Sequence, residues 1–160
     1  MTAAMLRLAL YQPDIPQNTG TIVRLCACLG VGIDLIEPAA FDLSDRNFRR
    51  AGMDYVERAA IARHDGFAAF DGWRRAQRRR LVLIETDGTE RHDRFAFGEE
   101  DVLLLGRESA GVPASVYDAA DASVRIPMRP GLRSINVALA AAIVLAEALR
   151  QLDRFPGDSP

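Results

Sequence analysis

Two short, wholly apolar runs constrain this chain most: Leu81-Val82-Leu83-Ile84 and Val102-Leu103-Leu104-Leu105. A strand with one wet face alternates apolar and polar residues. An unbroken run of four therefore belongs to a strand covered on both faces, as in a parallel sheet between helices. The rest of the chain fits that theme. Leu6, Leu8 and Leu10 alternate with Arg7, Ala9 and Tyr11 in a first strand, and a proline-rich turn at residues 13–16 follows. Asn18 is expected to cap a helix reaching about Leu29, closed by Gly30 and Gly32. Residues 33–36 read as a second strand, Ser44 as the cap of a short helix to about Ala51, and residues 59–62 as a short strand. Asp65 opens a helix to about Gln77, with Phe67, Phe70 and Trp73 on one face. Beyond the two apolar strands come a short helix at 113–119, a strand at 123–126 and a long helix at 135–152. Strands and helices alternate throughout, which predicts an α/β fold with a mostly parallel sheet flanked by helices.

No repeat, low-complexity tract or linker divides the 160 residues, so one domain is expected, with its core at 6–152 and a frayed tail at 153–160. Apolar residues make up 49% and charged residues 26%, the balance of a soluble globular protein. No apolar run approaches the roughly 18 residues that would span a bilayer. The first residues lack the basic-then-apolar pattern of a secretory signal. Cys26 and Cys28, two apart in a helical pattern, point to nearly opposite sides and cannot pair with each other; buried, reduced thiols are expected. His64 and His92 stand alone, with no Cys/His spacing for a metal. A cytoplasmic protein without a metal follows by elimination.

The formal net charge of -2 argues against a protein that coats nucleic acid indiscriminately. A local basic face remains open, because all 20 cationic side chains are arginine and several cluster: Arg46, Arg49 and Arg50, then Arg74, Arg75, Arg78, Arg79 and Arg80. Guanidinium forks suit phosphate and carboxylate contacts. The second cluster reads as a solvated helix end.

In open parallel sheets, ligands bind in the crevice at the carboxyl ends of the strands, which directs attention to the loops starting at Glu85, Gly106 and Pro127. The segment Gly106-Arg107-Glu108-Ser109-Ala110-Gly111-Val112-Pro113 leaves a buried strand and enters a helix. Its glycines allow close backbone approach or positive φ, but it is neither a P-loop nor a complete dinucleotide fingerprint, and a plain tight turn is an equal reading. The segment 126–136 is stiffened by Pro127 and Pro130 and bent at Gly131, and it brings Ser134 and Asn136 to the start of the long helix, as helix caps or as ligand groups. In Asn18-Thr19-Gly20-Thr21-Ile22-Val23-Arg24, an arginine sits two turns into an apolar helix, where it calls for a carboxylate or a phosphate.

Together these segments resemble the three motifs of the SpoU branch of the knotted SPOUT RNA methyltransferases. Asn18, Gly20 and Arg24 match the first motif, Gly106, Glu108, Gly111 and Pro113 the second, and Ile126, Pro127, Met128, Ser134 and Asn136 the third. Tyr11-Gln12-Pro13-Asp14-Ile15-Pro16, Ile36-Glu37-Pro38 and Arg49-Arg50-Ala51-Gly52-Met53-Asp54-Tyr55 extend the likeness over nearly the whole chain. Two departures stand out: Ala110 replaces a basic residue that many relatives carry, and Ala138 and Leu139 replace a serine and an asparagine.

Several expectations follow from the resemblance alone. The C-terminal segment would be tucked through a loop in a deep trefoil knot. S-adenosyl-L-methionine would be the methyl donor, held by Ile84, Gly106, Ile126 and Ser134 with Glu108 and Met128 nearby. The acceptor would be the ribose 2'-hydroxyl of the wobble nucleotide, cytidine 34 or uridine 34, in the anticodon loop of tRNA, and the enzyme would work as a homodimer. Arg24 would be the catalytic residue. A guanidinium is a poor base, so a stabilising charge near the ribose oxygen suits it better. An ion pair with Glu108 is the structural alternative. Arg49 and Arg50 would contact RNA phosphate, and Phe41 and Tyr55 would stack on bases or fill the core. The apolar helix 135–152 would serve as an interface element or be buried in the chain's own core. Rival readings are a 2'-O-methyltransferase of another tRNA or rRNA site and a non-catalytic adenosylmethionine- or RNA-binding module. A nucleotide-dependent oxidoreductase is a weaker third rival, since residues 13–18 follow the first strand in place of a glycine-rich turn.

Overall fold

The computed structural model describes residues 5–157. Its strands are β1 (Arg7–Tyr11), β2 (Gly32–Ile36), β3 (Ile61–His64), β4 (Arg80–Ile84), β5 (Glu90–Arg91), β6 (Asp101–Leu105) and β7 (Ala122–Arg125). The helices are α1 (Pro16–Leu29), α2 (Arg46–Gly52), α3 (Phe67–Ala76), α4 (Ala114–Ala119) and α5 (Val137–Leu152), with a 3-10 turn at Met53–Glu57. The strands form one sheet in the order β3-β2-β1-β6-β4-β7-β5, and every neighbouring pair is parallel. The α/β expectation with a parallel sheet therefore holds.

Strand periodicity divides the interior into two layers. Leu8, Leu10, Ile33, Leu35, Val82, Ile84, Leu103 and Leu105 face one side, where Ile22, Val23 and Cys26 of α1 and Val144, Leu145 and Ala148 of α5 cover them. Ala9, Tyr11, Leu81, Leu83, Val102 and Leu104 face the other, under Phe70 of α3 and Val116 of α4. Burial on both faces is why β4 and β6 read as continuous apolar runs.

Polar groups inside the sheet are paired across it. Asp34, with no exposed surface, accepts from Arg7 Nε at 2.7 Å and lies 2.9 Å from His64 Nε2, which links β1, β2 and β3. Removing a partner from such a buried pair strands a charge, at a cost of about 3–5 kcal/mol. Arg80 and Asp101, opposite each other on β4 and β6, form a two-pronged pair at 2.7 Å per contact.

Several local expectations need correction. Asn18 does not cap α1: the helix begins at Pro16, whose missing N–H suits the first turn, with Ile15 in the cap position and no side-chain cap. Ser44 does not cap α2, because Asp45 accepts from Asn47 N and Phe48 N instead. The third helix starts at Phe67 after Gly66, not at Asp65. The last one starts at Val137, with Asn136 as its cap, accepting from Ala138 N at 2.8 Å and Leu139 N at 3.3 Å. The short strand lies at Ile61–His64, two residues later than expected, and the two-residue β5 had no signal. Cys26 is buried but Cys28 is exposed, since the helical turn that separates the two thiols sends the second outward. Within the expected tail, Arg154 is tied to Glu99 at 2.7 Å; residues 158–160 lie outside the described residues.

Candidate active site

The bends after β4, β6 and β7 converge. Ile84, Glu85 and Thr86 leave β4, Leu105, Gly106 and Arg107 leave β6, and Ile126 and Met128 follow β7. Together with Gly111 and with Ile135, Val137 and Ala140 at the start of α5, they line a half-open cavity of about 120 Å³. Its walls are chiefly apolar, with Glu85, Thr86 and Arg107 as the polar side chains. The crevice thus lies at the carboxyl ends of parallel strands, where such sheets bind ligands.

Glycine makes the rim possible. A Cβ on Gly106 would fall 2.6 Å from the carbonyl carbon and 2.8 Å from the Cα of Gly111, so the two backbones touch. Gly111 has φ +65°, and it is bonded in both directions to Arg107: Arg107 N donates to Gly111 O at 2.9 Å, and Gly111 N donates to Arg107 O at 2.8 Å. Arg107 sends Nη1 toward Gln12 Oε1 at 3.5 Å, while its Nε is buried without a hydrogen-bond partner. An orphaned guanidinium N–H on a cavity wall is suited to an anionic group of a ligand. Beside it, Glu85 is half-buried, and burial followed by the charge of Asp87 raises its carboxyl above the usual range.

A second feature fastens the loop after β1 to the loop after β6. Asp14 N donates to Glu108 Oε2 at 3.2 Å, Glu108 N donates to Asp14 Oδ1 at 3.2 Å, and the Ser109 hydroxyl donates to Asp14 Oδ2. Burial, then the hydrogen bond with the Asp14 side chain, pushes Glu108 up to about 7. That same hydrogen bond, then Ser109, holds Asp14 below the usual carboxylate range. The pair therefore keeps one proton at mildly acidic pH. A carboxyl whose pKa is raised on folding stabilises fully below its unfolded value, and that contribution is lost as pH rises through the folded value, here about 7. Thermal unfolding at pH 6 and pH 8 should show a fall of about 2 °C, small because the pair is half-exposed. In Glu108→Gln the fall should be absent; an equal fall in both proteins would refute the clasp.

Of the sequence-identified site residues, Ile84, Gly106, Ile126 and Met128 line the cavity. Glu108 and Ser134 do not: Glu108 is engaged with Asp14, and Ser134 is exposed two residues before the α5 cap. Asn136 Nδ2 also donates to Asn18 Oδ1 at 3.1 Å, which joins the starts of α1 and α5. Arg24 forms no ion pair with Glu108, and it is not among the residues lining the cavity. Helical spacing places it with Gln17, Thr21 and Cys28 on the solvent face of α1, while Ile22, Val23 and Cys26 face inward, so it needs no buried carboxylate. Its guanidinium lies 5.2 Å from the Tyr55 ring centroid, and Nη1 is 3.2 Å from Met53 Sδ.

Gly20 explains how Tyr55 and Met53 come to lie there. A Cβ on it would fall 2.5 Å from Phe48 O and 2.9 Å from Gly52 N, so α1 and α2 cross with their backbones in contact. Arg49 and Arg50 are both exposed on α2. Arg49 is committed to Glu57 and to Leu43 O at 2.9 Å. Phe41 packs on Phe48, with centroids 5.7 Å apart, and belongs to the core. The roles of Arg107 and Asp14 had no sequence signal beyond their places in the loops; Asp14 meets Glu108 across 94 positions of chain. Among the described residues, no group of three His, Cys, Asp or Glu side chains could hold a metal ion, and no helix is long and apolar enough to cross a membrane.

Comparison with known proteins adds the context of this geometry. The profile of the SpoU rRNA Methylase family matches residues 5–146. A tRNA (cytidine(34)-2'-O)-methyltransferase of Beijerinckia indica is 60% identical over 145 residues, covering 91% of each chain. The Escherichia coli K12 enzyme of the same name is 44% identical over 155 residues, 96% of this chain and 97% of that one. Among solved structures, one described as giving insights into the 2-OH methylation of C/U34 on tRNA superposes with a TM-score of 0.89 at 39% identity, covering 94% of this chain and 97% of the other. The AviRb SpoU methyltransferase of Streptomyces viridochromogenes in complex with AdoMet gives 0.88 at 28% identity, covering 96% of this chain and 62% of that one.

Proposed function

The chain belongs to the SpoU rRNA Methylase family, and from that premise we propose that it transfers a methyl group from S-adenosylmethionine to the ribose 2'-hydroxyl of nucleotide 34 of tRNA, cytidine or uridine. One observation carries this reading: the bends after β4, β6 and β7 enclose an apolar cavity in a chain that shares 60% identity, over 91% of each chain, with a tRNA (cytidine(34)-2'-O)-methyltransferase.

The chemistry asks little of the protein beyond placement. The ribose oxygen forms the new C–O bond as the C–S bond of the sulfonium breaks, the thioether keeps the electron pair, and the hydroxyl proton leaves. Holding the two reactants in line is worth up to about 7–11 kcal/mol. In this reading, Ile84, Ile126 and Met128 and the backbone at Gly106 contact the adenosyl part of the donor. The Arg107 guanidinium, with its unpaired Nε, receives the donor's carboxylate. Ser134 and Glu108 act from the flanking loops. Arg24 provides positive charge for the developing alkoxide or an adjacent phosphate, and Arg50, with Arg49 beside it, meets the RNA backbone.

Because Arg24 faces solvent outside the cavity, the reading includes a homodimer in which Arg24 of one copy serves the cavity of the other. The exposed apolar residues Leu139 and Ile143 on α5, which packs beside α1, support a contact there. Residues 6–152 would act as one domain with the C-terminal segment knotted through the loops it covers, and the enzyme would meet tRNA in the cytoplasm.

Incubation with labelled donor and total tRNA, followed by mass mapping of the modified nucleotide, tests the reading. One ribose methyl at position 34 is expected. A methyl elsewhere on tRNA or on rRNA would move the chain to a sibling activity, and donor binding without transfer would make it a binding module.

A further inference from the structure

Five arginines that the donor cavity does not use line a second concavity. Arg74, Arg75, Arg78, Arg79 and Arg80, with Asp121, surround an open groove of about 490 Å³ at the end of α3 and the start of β4. Arg80 opens β4 and Ile84 closes it at the donor cavity. At about 3.3 Å per residue, the two sites are therefore about 13 Å apart along the strand, at opposite ends of the sheet.

The five are not equivalent. Arg74 is a structural residue: only 3% exposed, it bonds Asp71 at 2.7 Å, Asp121 at 2.9 Å and Ala119 O at 3.0 Å. Arg80 is held by Asp101. Arg75 shares Asp71 with Arg74 and remains exposed. Among the described residues, Arg79 meets no carboxylate: Nη1 donates to Met5 O at 2.8 Å, Nε is buried without a partner, and the group sits 5.7 Å from the Trp73 centroid. Arg78 is exposed on a left-handed turn, φ 56°, which projects it from the end of α3. Among the described residues, the carboxylates in direct contact with these five guanidinium groups are three, Asp71, Asp101 and Asp121; the charges of Arg7, Asp34 and Glu100 also act on Arg79, and that of Glu90 on Arg80. In a chain of net charge -2, this concentration of positive charge is local.

We infer that this groove is a second contact surface for the RNA substrate, in which Arg75, Arg78 and Arg79 hold backbone phosphates away from the nucleotide being methylated. A wide, shallow surface with several guanidinium donors and no closed apolar wall suits a polyanionic backbone rather than a small apolar ligand. The inference rests on the tRNA reading above.

The test compares tRNA binding across a salt series for the unaltered chain, for Arg75→Glu/Arg78→Glu, and for Arg94→Glu, an exposed arginine outside the groove. Neither groove substitution touches the cavity or the core. The double variant should bind tRNA roughly tenfold more weakly, and its slope of log K against log salt should shrink by about 1.4–1.8, the loss of two phosphate contacts. KM for tRNA should rise while kcat and donor affinity stay constant, and Arg94→Glu should behave as the unaltered chain. Arg75→Gln/Arg78→Gln gives the same readout without charge reversal, should the first variant not fold. Binding and slope unchanged in the double variant, or changed equally by Arg94→Glu, would overturn the inference alone. No tRNA binding by the unaltered chain would overturn the function reading and the inference with it.

Discussion

Replacing Arg24 with alanine should lower kcat by roughly 100- to 1,000-fold, the range for losing one preorganised charge at a developing oxyanion. Donor affinity should stay nearly constant, because Arg24 stands outside the cavity formed by the bends after β4, β6 and β7. Stability should change little, since the side chain is exposed and its contacts are the Tyr55 face and the Met53 sulfur. Arg24→Lys keeps the charge but loses the planar fork, and it should recover only part of the rate. The measurement is single-turnover methyl transfer to tRNA alongside calorimetry with S-adenosylmethionine. Unchanged turnover, or loss of rate and donor binding together, would remove Arg24 from the chemistry. A further arm locates it: mixed with a cavity-blocked Gly106→Val chain, Arg24→Ala should regain activity if one copy supplies Arg24 to its partner's cavity. Two inactive chains that stay inactive on mixing would place Arg24 with its own cavity.

The second large effect belongs to Gly106. Its Cα faces the backbone of Gly111 so closely that an alanine Cβ would come within 2.6–3.0 Å of three backbone atoms. Backbone cannot swing aside as a side chain can, and Gly111 is fastened to Arg107 by hydrogen bonds in both directions. Gly106→Ala must therefore shift the loop that forms one wall of the cavity. A displacement of about 1 Å at a reacting centre costs on the order of 100-fold in rate, and kcat/KM should fall by at least that factor, with weaker donor binding. The β6 strand behind the loop is fully buried and should keep the protein folded. Calorimetry and circular dichroism check the two halves of this expectation; ordinary donor affinity in a folded Gly106→Ala protein would show that the loop does not grip the donor.

The contrast between Arg24 and Gly106 shows where the sequence could be read and where it could not. Continuous apolar runs at β4 and β6 identified a two-sided parallel sheet because burial on both faces leaves no polar phase to the pattern. The three loops that line the cavity were legible for a related reason: in a parallel sheet, carboxyl ends share one edge, so Ile84, Gly106, Ile126 and Met128 had to gather there. Helix starts were less legible. Asn18, Ser44 and Asp65 all carry capping side chains, yet α1 starts at Pro16, whose fixed φ suits a first turn, α3 starts after Gly66 with no side-chain cap, and only at α2 does an equal capper, Asp45, take the neighbouring place.

By itself, then, the sequence determined the layers, the edge of the sheet at which the cavity lies and the family, since periodicity and motif order are properties of the chain alone. Tertiary structure decided the pairings: Glu108 with Asp14 across 94 positions, Asn136 with Asn18 across 118, and Arg24 outside the cavity on an exposed helix face. The physical reason is that a side chain's partner depends on the angle at which its element docks. Close approaches such as Gly20 on Phe48 set that angle in three dimensions, where no one-dimensional period records it.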